Sequence, residues 1–375
     1  MTDDRCDVLI VGGGPAGSSC ARGLAGQGLD VRVLDRAEFP RSKICAGWVT
    51  PQVMQALDID PEHYGRDHVC QPITGFRVGM IGQRITAVDC DETVSFGIRR
   101  CEFDDYLLRR SGARLHLGRR LESLEPVEDG WLVNREITAR VLVGAGGHFC
   151  PVARRIVPAP RPPESAVAAQ EVEFHLDPEQ LAHGPAEGAR PELYFTDDLK
   201  GYGWVVRKGE WLNVGLGRQD PRGFPAALRA FLDYLETEGR LPPRASRRFK
   251  GHAYLLYEWA PRPLQRDGAL LVGDAAGLAF LRSGEGIRPA VESGLLAAKA
   301  ILAARGDGRQ AGRLYRRAME ERFGPRRSTP PRAWTQLLPR PWRAPLAGRL
   351  LAHPLFARKM LIDRWFLARH LPPLR

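Results

Sequence analysis

Short apolar runs that end in glycine mark this chain near both ends. Residues 6–11 (CDVLIV) lie between acids and glycines, the pattern of a strand buried on both faces. Small residues at helical spacing follow over 15–27, through Ala16, Cys20 and Leu24. A second run, 31–34 (VRVL), ends in Asp35. The spacing of Phe103, Tyr106, Leu107 and Arg110 predicts an amphipathic helix over 101–111. Short strands are predicted at 114–117, 121–127, 131–134 and 137–143, the last running into Gly144-Ala145-Gly146-Gly147. From 166 to 256 the alternation is mainly of strand type, interrupted by one helix at 224–238. The buried strand-to-glycine pattern returns at 269–277 (ALLVGDAAG). A helix of about 20 residues from Ile287 and another over 309–323 complete the pattern.

This order predicts an α/β nucleotide-binding domain assembled from separated segments: 1–74, 97–160 and 265–306. A mainly β substrate domain, 75–96 and 161–264, is inserted in it. The proline-rich stretch 158–163 (PAPRPP) reads as a domain crossing. Residues 307–375 form a basic helical C-terminal region.

Charge separates that tail from the rest. The whole chain carries +11, and Arg313–Arg375 alone holds 15 Arg and Lys against Glu320, Glu321 and Asp363, or +12. The first 312 residues are therefore close to neutral, and the basic character belongs to the tail. Within it, arginines interleave with Trp334, Trp342, Phe356, Trp365 and Phe366, which suits an anionic bilayer surface. Prolines at 330, 331, 339, 341, 345 and 354 cut it into short helices. From 355 to 371 the polar residues scatter around a helical wheel, so a subdomain that caps the enzyme with a solvated basic face is an equal reading. No nucleic-acid motif accompanies the charge, and no nucleic-acid partner is expected. The start, MTDDRCDVLIVGGG, lacks the basic segment and long apolar run of a signal peptide. No run reaches the ~18 apolar residues of a membrane span. A cytoplasmic chain is expected, peripheral at the inner face of the membrane if the tail docks. The seven cysteines include no C-x-x-C pair, so neither a disulfide framework nor a metal site is expected.

The candidate chemistry begins at Gly12-Gly13-Gly14-Pro15-Ala16-Gly17, a G-x-G-x-x-G directly after a strand and opening a helix. Gly12 permits the tight turn, Gly14 lets the backbone approach a diphosphate, and Gly17 lets helix and strand pack closely. The helix start adds free N–H groups and partial positive charge for phosphates. Asp35 stands where a carboxylate accepts ribose hydroxyls, which excludes a 2′-phosphate and hence NADP at this site. Far downstream, Val272-Gly273-Asp274-Ala275-Ala276-Gly277 delivers a second acid to a glycine turn, and Ser283-Gly284-Glu285-Gly286-Ile287 precedes the long helix. Two such turns suit a cofactor touched at both ends, as FAD is. Glu285 reads equally as a helix-capping acid and as a site acid. Arg99-Arg100-Cys101 opens a helix; alone, its arginines read as solvated.

Together with Phe39-Pro40-Arg41-Ser42-Lys43-Ile44-Cys45-Ala46-Gly47, Lys200-Gly201-Tyr202-Gly203-Trp204, Asn213-Val214-Gly215 and the stretch from GDAAG through Ala298, these motifs resemble the geranylgeranyl reductase family. That family lies within the aromatic hydroxylase and halogenase group of flavoproteins, and the likeness runs from residue 6 to about 305. It implies a glutathione-reductase-type, hydroxylase-like FAD domain and FAD as cofactor. Gly12, Gly14, Ala16, Gly17, Asp35, Arg36, Arg100, Asp274, Gly284, Gly286 and Ile287 fall at cofactor positions. It also puts Cys45 on a loop facing the flavin, and Tyr202 and Trp204 on a strand lining the substrate cavity, with Val205 and Val206 as further apolar wall. Departures are Ala46 where the family has a second glycine, Gly146 where hydroxylases have aspartate, and a missing proline near Phe280-Leu281-Arg282.

The resemblance implies reduction of carbon–carbon double bonds in an isoprenoid or other lipophilic substrate by hydride from FADH2. Cys45 is the candidate to shape the site or relay a proton, since a thiol of pKa ~8.5 can donate near neutral pH. With no second dinucleotide motif, the electron donor is left open among NAD(P)H, a ferredoxin and another reductase. The alternatives are a flavin-dependent monooxygenase or halogenase, and a non-catalytic flavin-binding lipid carrier. Against a halogenase, the segment Gly203-Trp204-Val205-Val206 holds one tryptophan, and Lys43 has no evident partner.

Overall fold

The structure is a computed structural model. It describes residues 4–157, 164–241, 248–327 and 340–374. The proline-rich stretch 158–163, Trp334 and the prolines at 330, 331 and 339 lie outside them.

The first sheet is the expected parallel one. Asp4–Val11 lies at its centre between Ile137–Gly144 and Val31–Leu34, all parallel. Ala269–Leu271 continues the sheet on one side and Arg114–His116 on the other. The uninterrupted apolar runs follow from this placement, because Leu9, Ile10, Val33 and Val141 are covered on both faces. Leu124–Val127 and Gly130–Val133 attach antiparallel to Ile137–Gly144. The run predicted to start at 121 forms a strand only from Leu124.

One face of this sheet carries two helices in close contact, Pro15–Leu24 and Ile287–Ala303. Glycine sets their separation. A Cβ on Gly294 would lie 2.2 Å from the Ala16 carbonyl oxygen, and one on Gly23 would lie 2.7 Å from Ala298 Cβ. The small-residue spacing read in 15–27 therefore records a helix–helix contact as well as a nucleotide turn.

The second sheet runs Lys250–Tyr254, Val167–His175, Trp211–Arg218, Gly201–Lys208, Glu192–Phe195, Gly75–Met80, Thr86–Asp89. Only Glu192–Phe195 and Gly75–Met80 pair in parallel. Helix Phe224–Thr237 covers one face, where Phe231 and Leu235 meet Val205, Val214 and Leu216. The other face packs on Leu351, Ala357, Leu361, Ile362 and Phe366 of the C-terminal region. A small third sheet joins Trp48–Val49, Ser95–Ile98 and Cys70–Ile73.

The C-terminal region is thus a capping subdomain. Arg288, fully buried, pairs with Glu292 and donates to the carbonyls of Ala368, Leu371 and Pro372, pinning the end of the chain. Ala357–Phe366 is a π-helix, with Leu367 N–H bonded to Ile362 O. Its wider turn brings Ala357, Leu361 and Phe366 onto one buried side. Those spacings of four and five scatter on a wheel of period 3.6, which is why the sequence shows no clean apolar stripe there.

Candidate active site

The glycine turn is closed at two positions and open at one. Gly12 has φ +117, and a Cβ there would lie 2.4 Å from the Ala145 carbonyl oxygen. A Cβ on Gly17 would lie 1.9 Å from the Gly12 carbonyl oxygen. At Gly14, the N-cap of the first helix, the nearest atom is Arg41 Nη2 at 3.4 Å. Backbone packing forbids side chains at the first two; free space over the helix start remains at the third. Asp35 accepts from Gly13 N–H (2.7 Å) and Ala37 N–H (2.9 Å), tying the end of the second strand to the turn. Arg36, beside it, is exposed.

The two distant glycine turns adjoin. A Cβ on Gly273 would lie 2.9 Å from Ala16 Cβ, and Gly273 N–H donates to Ser293 Oγ (3.0 Å). Asp274 Oδ2 sits 3.3 Å from His252 Nε2, and Lys43 Nζ lies 3.0 Å from the same nitrogen. A Cβ on Gly286, the N-cap of the long helix, would lie 3.4 Å from Asp274 Oδ1. Burial pushes the Asp274 carboxyl up, but the His252 hydrogen bond and the Lys43 and Arg100 charges prevail and hold it below the usual range. Burial lowers the Lys43 ammonium. Arg100 forms two bonds to Asp104 (2.7 and 2.8 Å), and Arg41 lies 3.3 Å from the same carboxylate. The nitrogen that faces Asp104 is the buried Arg41 Nη1, an ion pair without hydrogen-bond alignment.

Open backbone at a helix start, the Arg41 guanidinium beside it, and half-buried Lys43 and buried Arg100 near Asp274 fit a diphosphate-bearing flavin cofactor. Gly12, Gly14, Ala16, Gly17 and Asp35 surround the first turn; Asp274, Gly284, Gly286 and Ile287 form the second. Arg100 is a buried, acid-paired arginine, not the solvated one its local sequence suggests.

The loop carrying Cys45 is gripped by the second sheet. Cys45 N–H donates to Glu171 Oε1 (2.7 Å), and Asn213 Nδ2 donates to Cys45 O (3.3 Å). Lys208, fully buried, donates to Ala46 O (3.1 Å) and to Glu173 Oε2 (2.5 Å). Trp204 Nε1 donates to Asn213 Oδ1 (2.7 Å). Three side chains from three strands thereby bond two consecutive residues, Cys45 and Ala46, and Glu173 and Trp204 brace those side chains. Gly47 needs its freedom, with φ +74 and Ile98 O 2.4 Å from a built Cβ. Ala46 has no positive φ, so the family's glycine is dispensable there. Burial raises the Glu171 carboxyl, whose Oε2 has no partner. Burial also works to raise Glu173, but the Lys208 ion pair overrides it and lowers that carboxyl.

Sequence reasoning missed Glu171, Glu173, Lys208 and His252. The available signal was a pair of acids two apart in the apolar strand Val167–His175, which period-two alternation puts on one face.

Beside the loop lies an apolar cavity of about 250 Å³, lined by Phe195, Tyr202, Tyr254 and Leu281 and, from the tail, Leu346 and Phe356. The Tyr202 hydroxyl donates to Ser283 O. Trp204 does not line the cavity; it lies behind Tyr202, ring centroids 6.1 Å apart, and supports the Cys45 loop through Asn213. Val205 faces the helix on the opposite side of the sheet, so it is no part of the wall. Glu285 is buried with neither carboxylate oxygen paired, and burial pushes its pKa up to about 7.

Residues 7–83 match the family model described as FAD dependent oxidoreductase. The chain is 31% identical over 352 residues to menaquinone reductase of Mycobacterium tuberculosis, covering 86% of this chain and 81% of that protein. It is 28% identical over 339 residues to geranylgeranyl diphosphate reductase of Rhodobacter capsulatus, covering 84% and 79%. A crystal structure of a geranylgeranyl bacteriochlorophyll reductase-like protein from Thermoplasma acidophilum superposes with a TM-score of 0.76 at 20% identity, covering 98% of each chain. With the glycine turn, the second acid-bearing turn and the Cys45 loop assembled around one crevice, the chain belongs to the geranylgeranyl reductase family of FAD-dependent oxidoreductases.

Proposed function

We propose that this enzyme reduces carbon–carbon double bonds of an isoprenoid or similarly lipophilic substrate. The observation that carries this reading is the apolar cavity roofed by the tail and ending at Tyr202, beside the loop that holds Cys45. Related proteins bear the names menaquinone reductase and geranylgeranyl diphosphate reductase, and both named substrates carry prenyl chains. When bound and reduced, FAD supplies a hydride to one carbon of the double bond.

The chain's own residues do the rest. Tyr202 and Tyr254 exclude water from the cavity wall; burial raises both hydroxyls well above the ordinary range, so both stay neutral. Cys45 holds a proton at Sγ for the second carbon, and solvent restores it. Glu171, Asn213 and Lys208 fix the loop that orients that sulfur.

The test is anaerobic. The purified protein, photoreduced, is mixed with a panel of prenyl lipids, and flavin reoxidation is followed by absorbance. Reoxidation with a saturated product supports the reading; a product that requires oxygen points to a monooxygenase. Cys45→Ala is expected to keep FAD and to slow reoxidation about 100-fold. An unchanged rate removes the thiol from the reaction.

A further inference from the structure

The exposed apolar residues of this molecule are concentrated in one place. Among the described residues, four of the seven exposed large hydrophobics are Trp342, Leu346, Leu355 and Met360. Trp342 is 69% and Leu355 62% exposed, so neither belongs to the core. Both sit on the capping subdomain, whose inner side is spent on the second sheet.

Their geometry makes them one surface. Helix Arg340–Leu351 packs on strand Gly75–Met80, and the π-helix Ala357–Phe366 packs on its neighbour Thr86–Asp89. Two consecutive helices seated on adjacent strands of the same sheet face turn their outer sides the same way. Trp342 and Leu346 are one helical turn apart, and Leu355 lies one turn from Lys359 and Met360.

Charge favours one occupant. Arg349, Lys359 and Arg364 are exposed on this segment and have no acidic partner among the described residues. The acids at its margin are matched: Asp91 pairs with Arg358, Glu92 with Arg369, and Asp363 with Arg369. An apolar band rich in unpaired cations has the composition of a face that lies in an anionic lipid interface. No helix of the described residues is long and apolar enough to cross a bilayer. The cavity reaches the same place, since Arg343 and Leu346 line it from the helix that bears Trp342.

We infer that the outer face of residues 342–364 docks on an anionic bilayer, with the mouth of the cavity at the interface. A prenyl chain then passes from the bilayer to Tyr202 beneath the helix Arg340–Leu351. Docking follows from the surface; passage of the lipid rests on the reductase reading.

The experiment uses the FAD-loaded full chain with sedimentable vesicles. Binding to vesicles containing phosphatidylglycerol is expected, weakened by salt and at least tenfold poorer on pure phosphatidylcholine. Trp342→Ser with Leu355→Ser is expected to cut binding at least tenfold while FAD content and thermal unfolding stay unchanged. Arg349→Glu with Lys359→Glu does the same through charge alone, which guards against a folding defect in the first variant. Equal binding by both variants, or no binding by the parent chain, overturns the inference. Flavin reoxidation by a detergent-dispersed prenyl lipid is independent of docking, so its loss would strike the reductase reading and leave this one standing.

Discussion

The two walls of the active site are built on different principles. On the cofactor side, recognition is made by backbone: Gly12, Gly14 and Gly17 differ only in what a Cβ would strike, and these residues lie within six positions of one another. On the sheet side, recognition is made by side chains from distant strands. Glu171, Lys208 and Asn213 bond Cys45 and Ala46, and Glu173 braces Lys208 and Asn213 from behind. The first wall is local and cannot vary much without breaking the turn. The second is a buried charge network, which orients the loop only while all its members are present. One is rigid through sterics, the other through mutual satisfaction.

The sharpest way to break the contrast is Lys208→Met. It removes the buried cation that pairs with half-buried Glu173 and holds Ala46 O, leaving Glu173 with the Arg99 cation alone, and is expected to cost about 3 kcal/mol in denaturant unfolding. Adding Glu173→Gln should recover part of that loss, because it removes a carboxylate left with Arg99 as its one remaining cation among the described residues. If Lys208→Met alone leaves stability unchanged, the network does not hold the loop.

Glu285 comes next. Its pKa is raised from 4.5 to about 7 by burial, so the folded protein binds a proton that the unfolded chain has released. The associated stability is present below the ordinary carboxyl range and is lost as pH rises towards 7. Glu285→Gln is expected to match the parent near about pH 5 and to exceed it by on the order of 3 kcal/mol near about pH 8. Unfolding at both pH values, with equal FAD occupancy, checks this. A constant offset would mean that Glu285 acquires a partner when FAD is bound.

The smallest effect probes the other wall. Gly14→Ala places a methyl in open space, where only Arg41 Nη2 is near. The fold should survive, and FAD affinity should fall about tenfold, or about 1.4 kcal/mol, by crowding the diphosphate. Titration of the apoprotein with FAD measures it. An undiminished affinity would mean that the cofactor does not approach this backbone.

The same contrast explains what could be read in advance. The strand, glycine turn, helix and Asp35 at the start of the chain were legible because each needs only its neighbours to be recognised. The second turn at Asp274 was legible for the same reason, and Tyr202 proved to line the apolar cavity. Trp204 did not. Its indole is spent on Asn213, a cross-strand choice that no local pattern announces. Arg100 looked solvated in its own helix and is buried against Asp104, with Arg41 beside the same carboxylate. In the tail, the π-helical turn hid a buried side that a period of 3.6 could not reveal.

By itself the amino-acid order determined the cofactor domain, its parallel sheet and the kind of ligand its turns accept, because backbone sterics and apolar periodicity act over a few residues. Only the tertiary structure decided how the Cys45 loop is held, where the cavity lies and which side of the tail stays exposed. Those depend on desolvated charges and packed faces that meet across hundreds of residues, and whether a buried carboxylate is paired is a property of the assembled interior alone.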